Sequence, residues 1–312
     1  MNEQKKIYRV ILCLMAAGSM LFANVTMAAS KVKTSSAAGS AKVAKEVKAK
    51  TLKAAGDKRA TVMKEAVAAL AQTGTAIEAL DKKDKQQALD TLALVTGKLD
   101  IVIARAPELA LAPIDVRVQT YDLINSVDVI KETVKTAREL LKDGEVQQAR
   151  DILMGLISEV DVTVTSIPLA SYSDGIKSVA RLVDKEKYQE AKDGLYDLIS
   201  TLVVTKNIIP LPILRAEEMI RKADALAIQE NRTQEQNKQL EELLTDTRTQ
   251  IEMAEALGYG NKKEYKLFYK QIKEIKKKTE DGKFGKGYMD KLKNGLKEFK
   301  EKIFGAHKSE SK

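Results

Sequence analysis

The chain has 312 residues, with 53 Lys+Arg against 44 Asp+Glu for a formal net charge of +9, and it contains no Trp, one His and one Cys. With His307 and Cys13 as the sole residues of their kind, zinc sites built on several histidines and nucleophilic relays needing an internal His are excluded. Hydrophobic residues make up 44% and charged residues 31%, enough to bury a core and keep a soluble surface.

At the N-terminus, Lys5, Lys6 and Arg9 precede an apolar run, Val10–Ala23, and small residues then allow cleavage after Ala28 or Ala29. The run is shorter than the ~20 apolar residues a spanning helix needs. Cys13 lies too early in it, behind Leu12, for a lipid-attachment site. Residues 1–29 are therefore read as a cleavable signal peptide that sends the chain to the periplasm, leaving no cysteine behind. The charge beyond it is uneven: residues 31–64 carry net +8, 65–258 carry −10 and 259–312 carry +9. Such asymmetry assigns different partners to the parts.

Residues 30–57 are rich in Lys, Ala and Ser and predict a flexible arm. From Lys58, with Asp57 as a candidate N-cap, Val62, Ala66, Leu70, Ile77 and Leu80 recur at helical spacing. Three segments, 85–110, 146–170 and 188–212, then align without gaps. Ala88, Ala149 and Ala191 are each followed at steps of four, three and four by an aliphatic residue: Leu92, Val95 and Leu99; Leu153, Leu156 and Val160; Leu195, Leu198 and Leu202. Those steps describe one face of a helix. Polar turns precede each copy, at Asp81–Asp84, Lys142–Gly144 and Asp184–Glu186, and Pro107, Pro168 and Pro210 close them. The reading is three helical hairpins, each second helix ending before its proline. A longer helix is expected around 115–142. VDVTVTS (160–166) and TLVVTKNII (201–209) are rich in β-branched residues, and the first alternates as a strand would; the repeated helical stripe favours helix for both.

Pro212 suits the first turn of a new helix, and Thr233 with Gln236 forms a capping box for the next, which Gly258 stops. In the tail, eight of the chain's 14 Phe+Tyr fall within 259–312. Tyr265, Phe268, Tyr269, Ile272 and Ile275 form one stripe; Tyr288, Leu292, Leu296, Phe299 and Ile303 form another, beyond a glycine-rich break at 280–287. The predicted fold class is all-α: antiparallel helical hairpins with three internal repeats over 58–258, a basic aromatic helical hairpin over 259–304, and a disordered end at 305–312.

The segments GKLDIVIARAPELALAPIDV (97–116), SIPLASYSDGIKSVARLVD (166–184) and LISTLVVTKNIIPLPILRAEEMI (198–220) closely resemble the YfdX family of bacterial secreted proteins, over about 58–226. The resemblance implies a helical periplasmic protein associated with envelope stress, acid and heat included, and a homo-oligomer. It supplies no catalytic residues.

The residues themselves offer no constellation for catalysis, cofactor or metal. Ser30-x-x-Lys33 lies in the flexible arm; Gly258-Tyr-Gly260 caps a helix and lacks the third glycine of a phosphate cradle. The acidic pairs Asp81/Asp84, Asp143/Glu145 and Glu217/Glu218 are expected on solvated surface. Lys273, Lys276, Lys277, Lys278, Lys283 and Lys286 crowd one helix end and turn, and are the candidate contact for an anionic partner: lipid, lipopolysaccharide or the chain's own acidic centre. Nucleic acid is not expected in a secreted chain. The functional expectation is a non-enzymatic stress protein that binds unfolded periplasmic proteins as a holdase. The alternative is a ligand-binding or envelope-tethering module working through its basic tail.

Overall fold

Helix α1 (Lys64–Asp81) and helix α2 (Lys85–Arg105) open the fold, packed on each other across a three-residue turn. The computed structural model describes residues 43–47, 49–50, 53 and 63–306, with side chains to 303. The signal peptide, Cys13, Ser30, Lys33, Asp57 and His307 lie outside the described residues.

Of the apolar stripe read from sequence, Val62 lies outside the described residues, and Ala66, Leu70, Ile77 and Leu80 are all buried on α1. Strand β1 (Leu111–Tyr121) follows α2. Next come α3 (Val127–Lys142), α4 (Val146–Met154), β2 (Glu159–Pro168), α5 (Leu169–Asp184), α6 (Tyr188–Ser200) and β3 (Val203–Pro210). The turns before α2, α4 and α6 share one geometry. Lys83, Gly144 and Glu186 adopt positive φ, and the next amide (Asp84, Glu145, Lys187) donates back to the carbonyl of Ala79, Leu140 or Leu182. This is the Schellman ending of a helix, closed by a left-handed residue that reverses the chain.

The fold is mostly helical, but the strands correct the all-α expectation. Residues 159–168 and 203–210 are extended, and both pair antiparallel, β3 and β1 flanking β2. The alternation in VDVTVTS is a true strand period: Val160, Val162 and Val164 face one way, Asp161, Thr163 and Thr165 the other. Dense β-branching outweighs the helical stripe from Val160 and Val203 onward. β1 alternates too, with Val116 buried while Arg117 and Gln119 are exposed. It takes the N-terminal part of the long helix expected around 115–142, so only α3 remains helical. Pro168 and Pro210 end strands and stand at the N-caps of helices, where a fixed φ suits the entry. Pro107 alone follows a helix end as predicted, two residues after Arg105.

Helix α7 (Leu211–Ala227) carries Pro212 in its first turn, and α8 (Gln234–Ala256) begins at the Thr233 capping box and stops before Gly258 at φ +85°. Replacing Thr233 with Ala removes the acceptor for the Gln236 amide and should cost about 1 kcal/mol, read as a lower urea midpoint at unchanged slope. Helices α9 (Lys262–Thr279) and α10 (Asp290–Ala306) complete the order.

Two groups of helices share the burial. α1 and α2 pack against α6 and α5, burying Leu92, Leu99, Tyr172, Ile176 and Leu195, and the Tyr172 hydroxyl is satisfied by Thr73 at 3.2 Å. The largest continuous core joins the inner face of the sheet (Val116, Val160, Val162) to α7, α8, α9 and α10. Val43 and Val47 belong to it as well. The arm expected over 30–57 is therefore helical at 43–47 and docked there, because a valine pair four residues apart meets an apolar face.

Candidate functional site

The candidate surfaces are set by how the basic tail meets the acidic centre. Helix α7 presents three carboxylates to it and to the N-terminal segment. Lys300 Nζ lies 2.7 Å from Glu217, and Lys293 Nζ lies 2.7 Å from Asp224, so α10 is held along α7. Glu218, expected on solvated surface, is fully buried and accepts from Arg221 Nε at 2.9 Å and from Lys50 Nζ. Glu46 in turn pairs with Lys222 at 3.1 Å. Burial would raise the Glu218 carboxyl, but the hydrogen bonds from Arg221 and Lys50 outweigh it and hold the group down at about 2. Arg232 closes the C-terminal end of α7, donating to the carbonyls of Leu226, Ala227 and Gln229, and with Nη2 to Lys283 O at 2.8 Å.

The six lysines singled out from sequence do not form one surface. Lys276 turns inward and donates to Thr245 Oγ1 at 2.8 Å, and Lys278 stands 5.5 Å from the Tyr288 ring centroid. Lys283 and Lys286 are exposed on the turn after α9, while Lys273 and Lys277 point outward from α9 itself. Sequence reading missed Lys263, Lys266 and Lys270, which lie on that outer face too. Their signal was the helical period of the lysines opposite the aromatic stripe.

A second surface is apolar. Ala149 in α4 is fully buried against α3, as Ala88 and Ala191 are in α2 and α6. The residue four positions on behaves differently: Leu92 and Leu195 are buried, whereas Leu153 is 43% exposed. Met154 at 63%, Val146 at 53% and Val129 and Leu141 at 46% extend this apolar surface over α3 and α4. A shallow groove of about 380 Å³ runs beside it, lined by Asp128, Val129, Glu132, Thr133, Thr136 and Ile152.

A buried polar cluster gathers at the start of β2. Tyr259 Oη donates to Glu159 at 2.6 Å and accepts from the Ser158 amide at 3.2 Å, while Lys206 lies 2.8 Å from Asp161. Burial raises the Glu159 carboxyl; the Tyr259 hydrogen bond opposes this, and the neighbouring Asp161 charge reinforces it. Among the described residues no three His, Cys, Asp or Glu side chains gather to hold a metal ion, and no helix is long and apolar enough to cross a membrane.

The family model described as YfdX protein matches residues 69–208. This segment is a YfdX domain. A solved structure of YfdX from Salmonella Typhi is similar at 16% identity, covering 48% of this chain and 93% of that chain with a TM-score of 0.34. No curated protein matches the chain. The YfdX segment contains the exposed α3–α4 surface and all but the last two residues of the sheet, and it ends inside β3. The lysine face of α9 and the carboxylates of α7 lie beyond it.

Proposed function

We propose that this chain is a non-enzymatic stress-response protein of the periplasm that holds unfolded proteins, with the α3–α4 surface as the client contact. One observation carries this reading. The α1–α2 and α5–α6 pairs pack on each other and bury Leu92 and Leu195, whereas the aligned Leu153 of α4 and its neighbours Met154, Val146, Val129 and Leu141 stand in water. An exposed aliphatic patch of that kind marks a place where a partner's apolar surface is covered. An unfolded chain offers such surface without a fixed shape, and a shallow open groove suits it better than it suits a small ligand, which needs enclosure.

Acid should strengthen the activity. Carboxylates titrate near pH 4, so the −10 of residues 65–258 is lost there while the basic ends keep their charge, and attraction turns into repulsion. Hydrophobic-dye binding and client protection should both rise as the pH is lowered from neutral. The direct test is light scattering by reduced insulin or heat-denatured lysozyme with the full chain added. Wild-type protein is expected to suppress aggregation, and the double variant Leu153→Glu/Met154→Glu, at exposed positions that leave folding intact, should lose most of that suppression. Absence of protection at any ratio, or an unaffected double variant, would overturn the proposal.

A further inference from the structure

Two sets of lysines on α9 and α10 have different surroundings. Lys293, Lys300 and Lys276 face inward and are used on Asp224, Glu217 and Thr245. Lys263, Lys266, Lys270, Lys273 and Lys277 face outward, and of these only Lys270 has an ion pair among the described residues, a loose one to Glu274 at 4.0 Å. The outward five recur at steps of three and four. At 100° per residue they share one narrow arc, directly opposite the buried face of Tyr265, Phe268, Ile272 and Ile275. From the first to the last the row is about 21 Å long at 1.5 Å per residue. Glu274 stands beside it, Glu241, Glu280 and Asp281 share a depression with Lys277 at its C-terminal end, and Leu267 stands 52% exposed along its edge.

We propose that this row docks the protein on an anionic lipid surface. The occupant follows from the chemistry of the row. It runs along one helix and is made of lysine, so it offers compact point charges without the planar fork that grips a single phosphate or carboxylate. Such a row matches diffuse charge spread over a plane. Its apolar face is closed in the core, so the helix lies on the headgroups and does not sink between the chains; the attraction is electrostatic, with Leu267 as its one apolar contact. Single-stranded nucleic acid is bound by stacking on exposed rings, whereas Tyr265 and Phe268 of α9 are buried.

Because α9 and α10 close the core, the test uses substitutions in the full chain in place of a deletion of 259–312. Pelleting with vesicles of mixed phosphatidylglycerol and phosphatidylcholine should show binding that pure phosphatidylcholine vesicles lack. Each ammonium near such a surface contributes about a fivefold preference, so Lys266→Gln/Lys270→Gln/Lys273→Gln should weaken partitioning by roughly 100-fold. Raising the salt should have the same effect on the wild type. Lys291→Gln/Lys297→Gln, exposed on α10 away from the row, should bind like wild type. The triple variant should keep its unfolding curve and its protection of clients, which separates this proposal from the holdase reading. Equal binding to neutral vesicles, wild-type binding by the triple variant, or a preference for duplex DNA over anionic vesicles at the same salt would each overturn it.

Discussion

Replacing Phe299 with Ala is expected to destabilise the protein by about 3–5 kcal/mol, a large share of the 5–15 kcal/mol that holds a typical domain together. Phe299 is buried at the centre of the tail's aromatic cluster, edge-on to Tyr265 at 5.4 Å and to Phe268 at 5.6 Å between ring centroids. Truncation therefore removes ring burial and two edge contacts, and leaves a cavity that the two facing helices cannot close without moving. Gly260 makes the site tighter. It sits at φ +76°, and a Cβ there would lie 2.2 Å from Phe299 Cε2. The Gly260→Ala change should therefore also destabilise, through both a strained backbone and the ring it would strike. Calorimetry should show the Phe299→Ala melting temperature lowered by roughly 10 °C or more, at about 2–4 °C per kcal/mol for a chain of this size. A change of only a degree or two would mean that α10 is not a structural part of the fold.

Glu218→Gln should lower stability at neutral pH by about 2 kcal/mol, and the difference should vanish in acid. The sign follows from the direction of the shift. The folded group is held near 2 against an ordinary 4.5, so the folded state binds fewer protons between those values. Its contribution is complete above the unfolded pKa and is lost as pH falls from about 4.5 towards 2. A shift of that size corresponds to about 3 kcal/mol; the smaller figure allows for Lys50 and Arg221, each more than half exposed, regaining water when the carboxylate is gone. Urea unfolding of both proteins at pH 7 and near pH 3 gives the comparison. A constant gap across that range would show that packing, and not the buried charge, makes the difference. Glu159 carries the opposite sign. Its carboxyl is raised, so its protonated form is favoured by folding, and the penalty for its ionisation is relieved as pH falls. Mild acid therefore eases the sheet end of the molecule before it weakens the seat of the N-terminal segment.

Much of this architecture was legible in the sequence where one physical signal stood alone. Thr233 with Gln236, Gly258 and Pro212 each fix a helix end by local chemistry, and the structure has all three where the residues put them. The aromatic stripe of α9 is the buried face it promised to be. Reading went astray where two signals overlapped. The steps of four, three and four belong to a helix throughout α2, which stays helical to Arg105. Carried by alignment to the other two copies, they ran past the point where VDVTVTS and VVTKNII have more β-branched residues than a helix tolerates easily. Pairing decided the matter, and pairing partners are not written in a local window: β2 is held on both edges, by β1 and β3. Glu218 was misjudged for a related reason. A carboxylate's burial depends on cations 3 and 168 residues away, Arg221 and Lys50. The exposed α3–α4 face was hidden for the opposite reason, since Leu153 holds the same place in the aligned pattern as Leu92 and Leu195, which are buried.

The inner face of the sheet carries a consequence for how this molecule can be divided. Val116, Val160 and Val162 belong to the YfdX segment, yet the core they join is completed from outside it, by α7 and the helices after it beyond residue 208 and by Val43 and Val47 ahead of residue 69. A chain cut at that border would present a valine floor without its ceiling, and would have to borrow one from another molecule or collapse. The boundary drawn by sequence likeness thus runs through the middle of a shared interior. The part that looks appended is, mechanically, the keystone.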